Sequence, residues 1–200
     1  MTTAVPLKIL TICSHNRTRS VMTMAMLQSM LNAQLGEGAA IVRSLGFGPE
    51  DMPSIPDAVE AMKRRGFDTS RHRSRKVTAE NVGAADLILT SERDHVVKIA
   101  AVSPEAYRQT MTLPEFLSLA ELADLSPGES VRDWVASLTV SRSARAYLNS
   151  DVGEIIDPTG SAPRAFEKSV MGMEEMCKQA TSYIVRIAEP PKTANRFSFD

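Results

Sequence analysis

Leu7-Lys8-Ile9-Leu10-Thr11-Ile12, followed directly by Cys13-Ser14-His15-Asn16-Arg17-Thr18-Arg19-Ser20, is the stretch on which the fold turns. Its first six residues form a short β-prone run with no turn residue inside, the pattern of a strand buried on both faces in a parallel sheet. A polar, basic segment from Cys13 to Arg19 comes next. Ser20 to Gln34 then predicts a helix, with Met24, Leu27 and Leu31 at three- and four-residue spacing along one face. A Cys-x5-Arg-Ser pattern thus stands between the carboxyl end of a strand and the start of a helix, where open α/β sheets gather their ligands.

The alternation continues outward. Ala39 to Ser44 is a second expected strand, closed by Gly46 and Gly48, and Pro56 to Arg65 a helix with Pro near its start and Gly66 as its stop. Ala84 to Thr90 is a third strand and Glu92 to Ala101 a helix. Residues 104–150 are mostly helical in composition, with breaks expected at Pro114 and Pro127-Gly128. Ile155-Ile156 is a stub of strand before Asp157-Pro158, and Ala165 to Ile187 a long amphipathic helix. Strands alternating with helices predict a single three-layer α/β domain: a central parallel sheet of about four strands, helices on both faces, and a phosphate-binding loop after the first strand. The domain is expected over residues 1–188, with 189–200 as a flexible tail.

Composition narrows the function classes. Of 200 residues, 43% are hydrophobic and 24% charged, which excludes a mainly disordered chain. The net charge of −1 gives no global field for nucleic acid or an anionic membrane. No apolar run reaches the roughly 18 residues of a membrane span. The apolar stretch Val21 to Leu31, behind Lys8, Arg17 and Arg19, has the outline of a late signal peptide, but Thr23, Gln28 and Ser29 interrupt it. Two distant cysteines imply no disulfide framework and fit a reducing cytoplasm, and with three histidines they are few for a metal cage.

The chemistry of the loop is specific. A loop closing onto a helix N-terminus aims several backbone N–H groups at one spot, and the helix dipole adds positive charge there. Arg19 supplies a planar fork for a tetrahedral oxyanion. Cys13 would sit beneath the anion, its thiolate stabilised by the same donors, by Arg19 and by the Ser20 hydroxyl, as covalent phosphoryl transfer requires. A leaving oxygen also needs a proton, and the candidate acid is Asp157, a loop carboxylate fixed by Pro158.

These residues resemble the low-molecular-weight protein tyrosine phosphatases, above all their bacterial members, from Leu7 to about Ile187. The marks are C-x-x-N-x-x-R-S at Cys13, Asn16, Arg19 and Ser20, then Ser44 and Gly46, His72 in HRSR, Asp86-Leu87-Ile88-Leu89-Thr90, and Asp157-Pro158 before the last helix. The resemblance implies Cys13 as nucleophile, Arg19 as phosphate clamp, and Asp157 as general acid and then base. It implies a phosphate or sulfate site formed by Ser14, His15, Asn16, Arg17, Thr18, Arg19 and Ser20. Asn16 would hold the loop's shape and Ser20 the thiolate, with Ser44 and His72 supporting both from behind. No metal or organic cofactor is implied. The expected partner is a phosphorylated protein or small phosphoester, with neither nucleic acid nor membrane, and the expected state a monomer or weak dimer.

Four departures from the family pattern stand out, of which those at His15, Arg17 and Thr159-Gly160 bear on specificity and that at Thr18 removes the usual oxidative partner of Cys13. His15 stands where the family usually has Gly, and Arg17 at a position often apolar or Thr. Thr18 replaces a frequent second loop cysteine. Thr159-Gly160 replace the aromatic residue that often follows Asp-Pro and packs against a phosphotyrosine ring. Residues 113–150 read as a helical insertion, in which Trp134, Val131, Val135 and Leu138 form an apolar stripe expected in the core. The leading expectation is a cysteine-dependent phosphomonoester hydrolase acting on phosphotyrosine in proteins. The alternatives are an arsenate reductase using an external small thiol, since Cys177 on the last helix is the only other cysteine, and a non-catalytic phosphate-binding module.

Overall fold

A computed structural model describes residues 5–124, 130–143 and 146–188. Four strands, β1 (Leu7–Cys13), β2 (Ala40–Gly46), β3 (Leu87–Thr90) and β4 (Thr110–Thr112), form one sheet in the order β2-β1-β3-β4, parallel throughout. The helices are α1 (Arg19–Leu35), α2 (Pro56–Arg64), α3 (Ala79–Gly83), α4 (Arg93–Val102), α5 (Leu113–Leu122), α6 (Val131–Leu138) and α7 (Pro163–Ala188). Short 3-10 turns occupy Pro104–Gln109 and Tyr147–Asn149.

Side-chain alternation divides the core in two. Ile9, Val42, Leu87, Leu89 and Met111 face a large cluster filled by α1, α2, α5, α6 and α7, while Leu10, Ile12, Leu45 and Ile88 face a smaller one with Val82, Ile99 and Ala106. β1 is buried on both faces because it is an interior strand with helices above and below. α1 buries Met22, Met26, Leu27 and Leu31. The expected stripe through Met24 lies a little off this face, and Met24 is only half-buried. α7 contributes Phe166, Val170, Met173, Cys177, Ala180 and Ile184, spaced three and four apart.

Trp134 is buried in the larger cluster, edge-on to Phe116 at 6.1 Å, with Val131 and Val135 buried beside it and Leu138 packed against them. The expected break at Pro114 is instead a helix start. Thr112 caps α5, its hydroxyl accepting from the Glu115 amide and the Glu115 carboxylate accepting from the Thr112 amide, and Pro114 sits in the first turn, where it lacks no needed donor. The fourth strand is Thr110–Thr112, not the stub at Ile155-Ile156. That segment joins no strand: the Ile155 amide reaches the Ser91 carbonyl, and Ile156 is 82% exposed. Pro127-Gly128 and the tail 189–200 lie outside the described residues. No described helix is long and apolar enough to cross a membrane.

The sheet order sets the site. From β1 the chain crosses to β2 on one side and later to β3 on the other, so the carboxyl end of β1 is the point where strand order reverses and a crevice opens.

Candidate active site

The loop leaving β1 turns sharply at Asn16, whose φ of +53° is left-handed, a conformation that asparagine tolerates better than most residues. Its side chain holds the turn. Asn16 Oδ1 accepts from the Arg75 amide at 2.9 Å, which leaves Nδ2 to donate to Ser20 Oγ at 3.0 Å. The Asn16 carbonyl takes a hydrogen bond from His72 Nε2 at 2.8 Å, and burial foremost lowers the His72 pKa, so this ring works neutral with its proton on Nε2. Behind the turn stands Gly46, where a Cβ would lie 2.7 Å from the Asn16 nitrogen and 2.9 Å from the Cys13 oxygen. Only glycine fits there.

With Asn16 donating into its oxygen, Ser20 turns its own proton toward Cys13 Sγ, 3.0 Å away. A directed relay therefore runs from the Arg75 amide through Asn16 and Ser20 to the sulfur. Cys13 is buried beneath the loop. No hydrogen bond among the described residues uses the amides of His15, Asn16, Arg17 or Thr18. These donors and the start of α1 form a concave, positively polarised cradle of the kind that takes oxyanions.

Arg19 is buried and held from one side. Its Nη1 contacts the Glu92 carboxylate and donates to the Ile155 carbonyl at 2.9 Å. Its Nε has no partner among the described residues, and Nη2 is shared by Asp157 Oδ2 at 2.9 Å and Ser14 Oγ at 3.4 Å. The edge with spare capacity is thus Nε–Nη2, the one that grips a tetrahedral anion with two parallel bonds. Asp157 lies across a cavity of about 70 Å³ that is lined also by Cys13, His15, Arg17, Thr18, Arg19, Ile55 and Thr159. Burial works to raise the Asp157 pKa, but the side chain and amide of Thr159, with Arg19 and His15, outweigh it and hold the carboxyl below its usual range. The Thr18 and Thr159 hydroxyls meet at 3.2 Å, tying the Asp157 turn to the loop.

The structure thus brings Cys13, Ser14, Asn16, Arg19, Ser20, His72 and Asp157 into one connected group. His15 and Arg17 stand at the rim, His15 exposed and packed over Gly48, Arg17 half-buried with Nε donating to the Pro53 carbonyl at 2.7 Å. Ser44 departs from expectation. It pairs with Thr11 across β1 and β2, and its buried hydroxyl makes no hydrogen bond to Asn16, Ser20 or any described residue. Support from behind comes instead from Arg75 and His72. Cys177 is buried in the core on α7, and burial foremost raises its pKa.

Two participants were not anticipated, Glu92 and His95. Glu92 braces Arg19. His95 is buried against Phe47, the rings stacked at 5.6 Å, with Nε2 at 3.0 Å from Ser14 Oγ. Burial first, with Arg19 and Lys98 adding and Glu92 and Asp94 opposing, pushes the His95 pKa down to about 4. The available signal was position, since both follow the carboxyl end of β3 beside the crevice.

A family model for the low molecular weight phosphotyrosine protein phosphatases matches residues 8–127. The low molecular weight protein-tyrosine-phosphatase Etp of Escherichia coli (strain K12) is 28% identical over 116 residues, 58% of this chain and 75% of that protein. A protein-arginine-phosphatase of Geobacillus stearothermophilus is 27% identical over 152 residues, 76% of this chain and 95% of that protein. Among solved structures, Vibrio vulnificus Wzb in complex with benzylphosphonate superposes with a TM-score of 0.65 at 20% identity, over 88% of this chain and 97% of that one. The matched region takes in the whole loop from Cys13 to Ser20 and the bracing Glu92, while Asp157 lies beyond it and enters by geometry. On that match the chain belongs to the low molecular weight phosphotyrosine protein phosphatase family, whose phosphatase chemistry runs through a cysteinyl phosphate.

Proposed function

We propose that Cys13, Arg19 and Asp157 carry out phosphomonoester hydrolysis in this chain, with phosphotyrosine in proteins as the substrate. The observation that carries the reading is that the sulfur, the guanidinium and the carboxylate line one 70 Å³ cavity, with Arg19 and Asp157 joined at 2.9 Å. In the first step the Cys13 thiolate attacks phosphorus. The P–S bond forms, the ester P–O bond breaks, and Asp157 gives its proton to the leaving oxygen. In the second, the Asp157 carboxylate takes a proton from water, whose oxygen attacks phosphorus. The P–S bond then breaks to release inorganic phosphate and the thiolate. The loop amides and Arg19 hold the equatorial oxygens throughout.

Asp157 is held ionised without substrate, and the family step needs it protonated. A phosphate dianion resolves this. It takes over the Nε–Nη2 edge of Arg19 and places negative charge beneath the carboxyl, and both effects raise the Asp157 pKa. Phosphotyrosine is favoured over phosphoarginine by Arg17, because the guanidinium of phosphoarginine retains positive charge that a second guanidinium at the rim repels.

The test is steady-state hydrolysis of p-nitrophenyl phosphate and of phosphotyrosine and phosphoarginine peptides. Cys13→Ser is expected to abolish turnover, and Asp157→Ala to lower kcat by about 10²- to 10⁴-fold, the range of a general acid. Turnover surviving Cys13→Ser, or a phosphoarginine peptide preferred over phosphotyrosine, overturns the corresponding part of the reading.

A further inference from the structure

The cavity over Cys13 holds a phosphoryl group and little else, so the rest of a substrate lies on the surface around the mouth. Two of its walls there are Ile55 and Thr159, with no Phe, Tyr or Trp among the lining residues. Selectivity must come from what the rim offers outside the cavity, and on one side the rim offers positive charge.

Arg17 is anchored without being neutralised. Its Nε donates to the Pro53 carbonyl at 2.7 Å and its own carbonyl accepts from the Ile55 amide at 3.1 Å, so the side chain is fixed at the mouth. Neither Nη atom makes a hydrogen bond to a described residue, and no described carboxylate pairs with Arg17. Pro53 in turn forms an antiparallel bridge with Arg73, which places a second guanidinium on the same strip, 52% exposed. Arg75 is exposed two residues further on, its amide bound to Asn16. Two acidic residues share this shoulder. Asp51 is 90% exposed and 3.9 Å from Arg73 Nε, and Glu50 is engaged by the Lys76 amide at 3.1 Å. Neither pairs with Arg17. In a chain of net charge −1, this cationic strip directly beside the pocket is a local feature.

We propose that the mouth of this site selects phosphoproteins in which the phosphorylated residue is flanked by acidic side chains, with Arg17 as the reading residue and Arg73 behind it. The inference rests on the phosphatase assignment above. A flanking carboxylate would meet the open Nη face of Arg17, whose anchored side chain has little rotamer freedom left to lose. The same contact is unfavourable for a flanking lysine.

The experiment compares kcat/KM for three phosphotyrosine peptides that differ only in the residues on either side of the phosphotyrosine: aspartate, alanine or lysine. p-Nitrophenyl phosphate and a carboxylated aryl phosphate accompany them. The expected aspartate-to-alanine ratio in the wild type is roughly five- to tenfold at low salt, the size of one screened charge pair, falling toward about twofold at high salt. Arg17→Gln brings the ratio to about one, Arg17→Glu turns it in favour of lysine, and Arg73→Gln lowers it by a smaller factor. Each ratio is taken within one variant, so a change in overall activity cancels. Equal rates for the aspartate and alanine peptides, with p-nitrophenyl phosphate still turned over, overturn this inference and leave the phosphatase reading standing. Turnover of none of the substrates takes down the phosphatase reading itself. A gain with the carboxylated aryl phosphate and none with the peptides assigns the second anion to a small molecule and overturns the protein substrate.

Discussion

Ser20 carries more of the candidate site than its size suggests, because its hydroxyl has only one direction left in which to donate. Asn16 Nδ2 occupies its oxygen, so the proton goes to Cys13 Sγ. A hydrogen bond to a charged group is worth about 1.5–3 kcal/mol, and Ser20→Ala is therefore expected to lower kcat/KM by roughly ten- to hundredfold with the fold intact. Alkylation by iodoacetate gives an independent readout, since Cys13 opens onto the site cavity while Cys177 is enclosed in the core, so the label reports on Cys13. Alkylation and turnover are expected to slow together in Ser20→Ala, and slowed turnover with unchanged alkylation would remove the serine from the thiolate's support. At Asp157 the sign is set by Thr159. Thr159→Val takes away a side chain that lowers the Asp157 pKa and leaves the amide in place. The acid then stays protonated to higher pH in the substrate complex, so the falling limb of kcat is expected to move up by a fraction of a pH unit. A limb that moves down, or stays, contradicts the assignment of Asp157.

At the scale of elements, the segment that delivers Asp157 is held without belonging to any helix or strand. Arg93, at the start of α4, donates through its amide and Nε to Glu154 at 2.9 and 3.0 Å, to the Leu148 carbonyl at 3.2 Å, and to the Ser150 carbonyl. The Thr112 hydroxyl donates to the Gly153 carbonyl at 2.7 Å, and the Ile155 carbonyl receives Arg19. Arg93→Ala removes the three side-chain bonds of this set and leaves the amide bond to Glu154 in place. The expected result is a fall in kcat of about tenfold with KM for p-nitrophenyl phosphate changing less, because the acid is misplaced while the phosphate cradle is not touched. An equal rise in KM with kcat unchanged would show that the segment binds substrate and does not position the acid. This segment also shows where sequence reading stops. β1, α1 and the loop between them were legible because strand run, turn and helix signals follow one another locally. Ile155-Ile156 carries the same apolar β-prone signal, yet whether it pairs depends on a neighbour that the local sequence does not name. Thr110–Thr112 is three residues long, too short to show a period, and is a strand only because β3 lies beside it. Glu92, His95 and Arg75 reach the loop from other elements, and Ser44, expected to support it, sits one strand away with its hydroxyl unbonded.

Across the whole molecule the same buried groups that arrange the loop make the fold sensitive to acid. In an unfolded chain a histidine takes up a proton near pH 6.5, whereas burial holds His95 down to about 4. Between those values the unfolded chain binds a proton that the folded chain refuses. The stability is fully present above about pH 6.5 and is lost as pH falls toward 4. His72, whose pKa is also lowered by burial, acts in the same direction. At pH 5 the His95 contribution has fallen by on the order of 2 kcal/mol relative to pH 7, a large part of a typical domain's stability. His95→Gln keeps an amide able to meet Ser14 and cannot take up the proton. The urea midpoint is therefore expected to fall more steeply between pH 7 and pH 5 in the wild type than in the variant, and the difference between the two slopes isolates His95 from His72 and the surface carboxylates. The buffer must contain no phosphate, because an anion bound only by the folded chain adds stability that itself varies with pH. Parallel slopes in the two proteins would mean that His95 carries the same charge folded as unfolded. The neutral ring that links Ser14 to the cluster around Arg19 would then have to be abandoned.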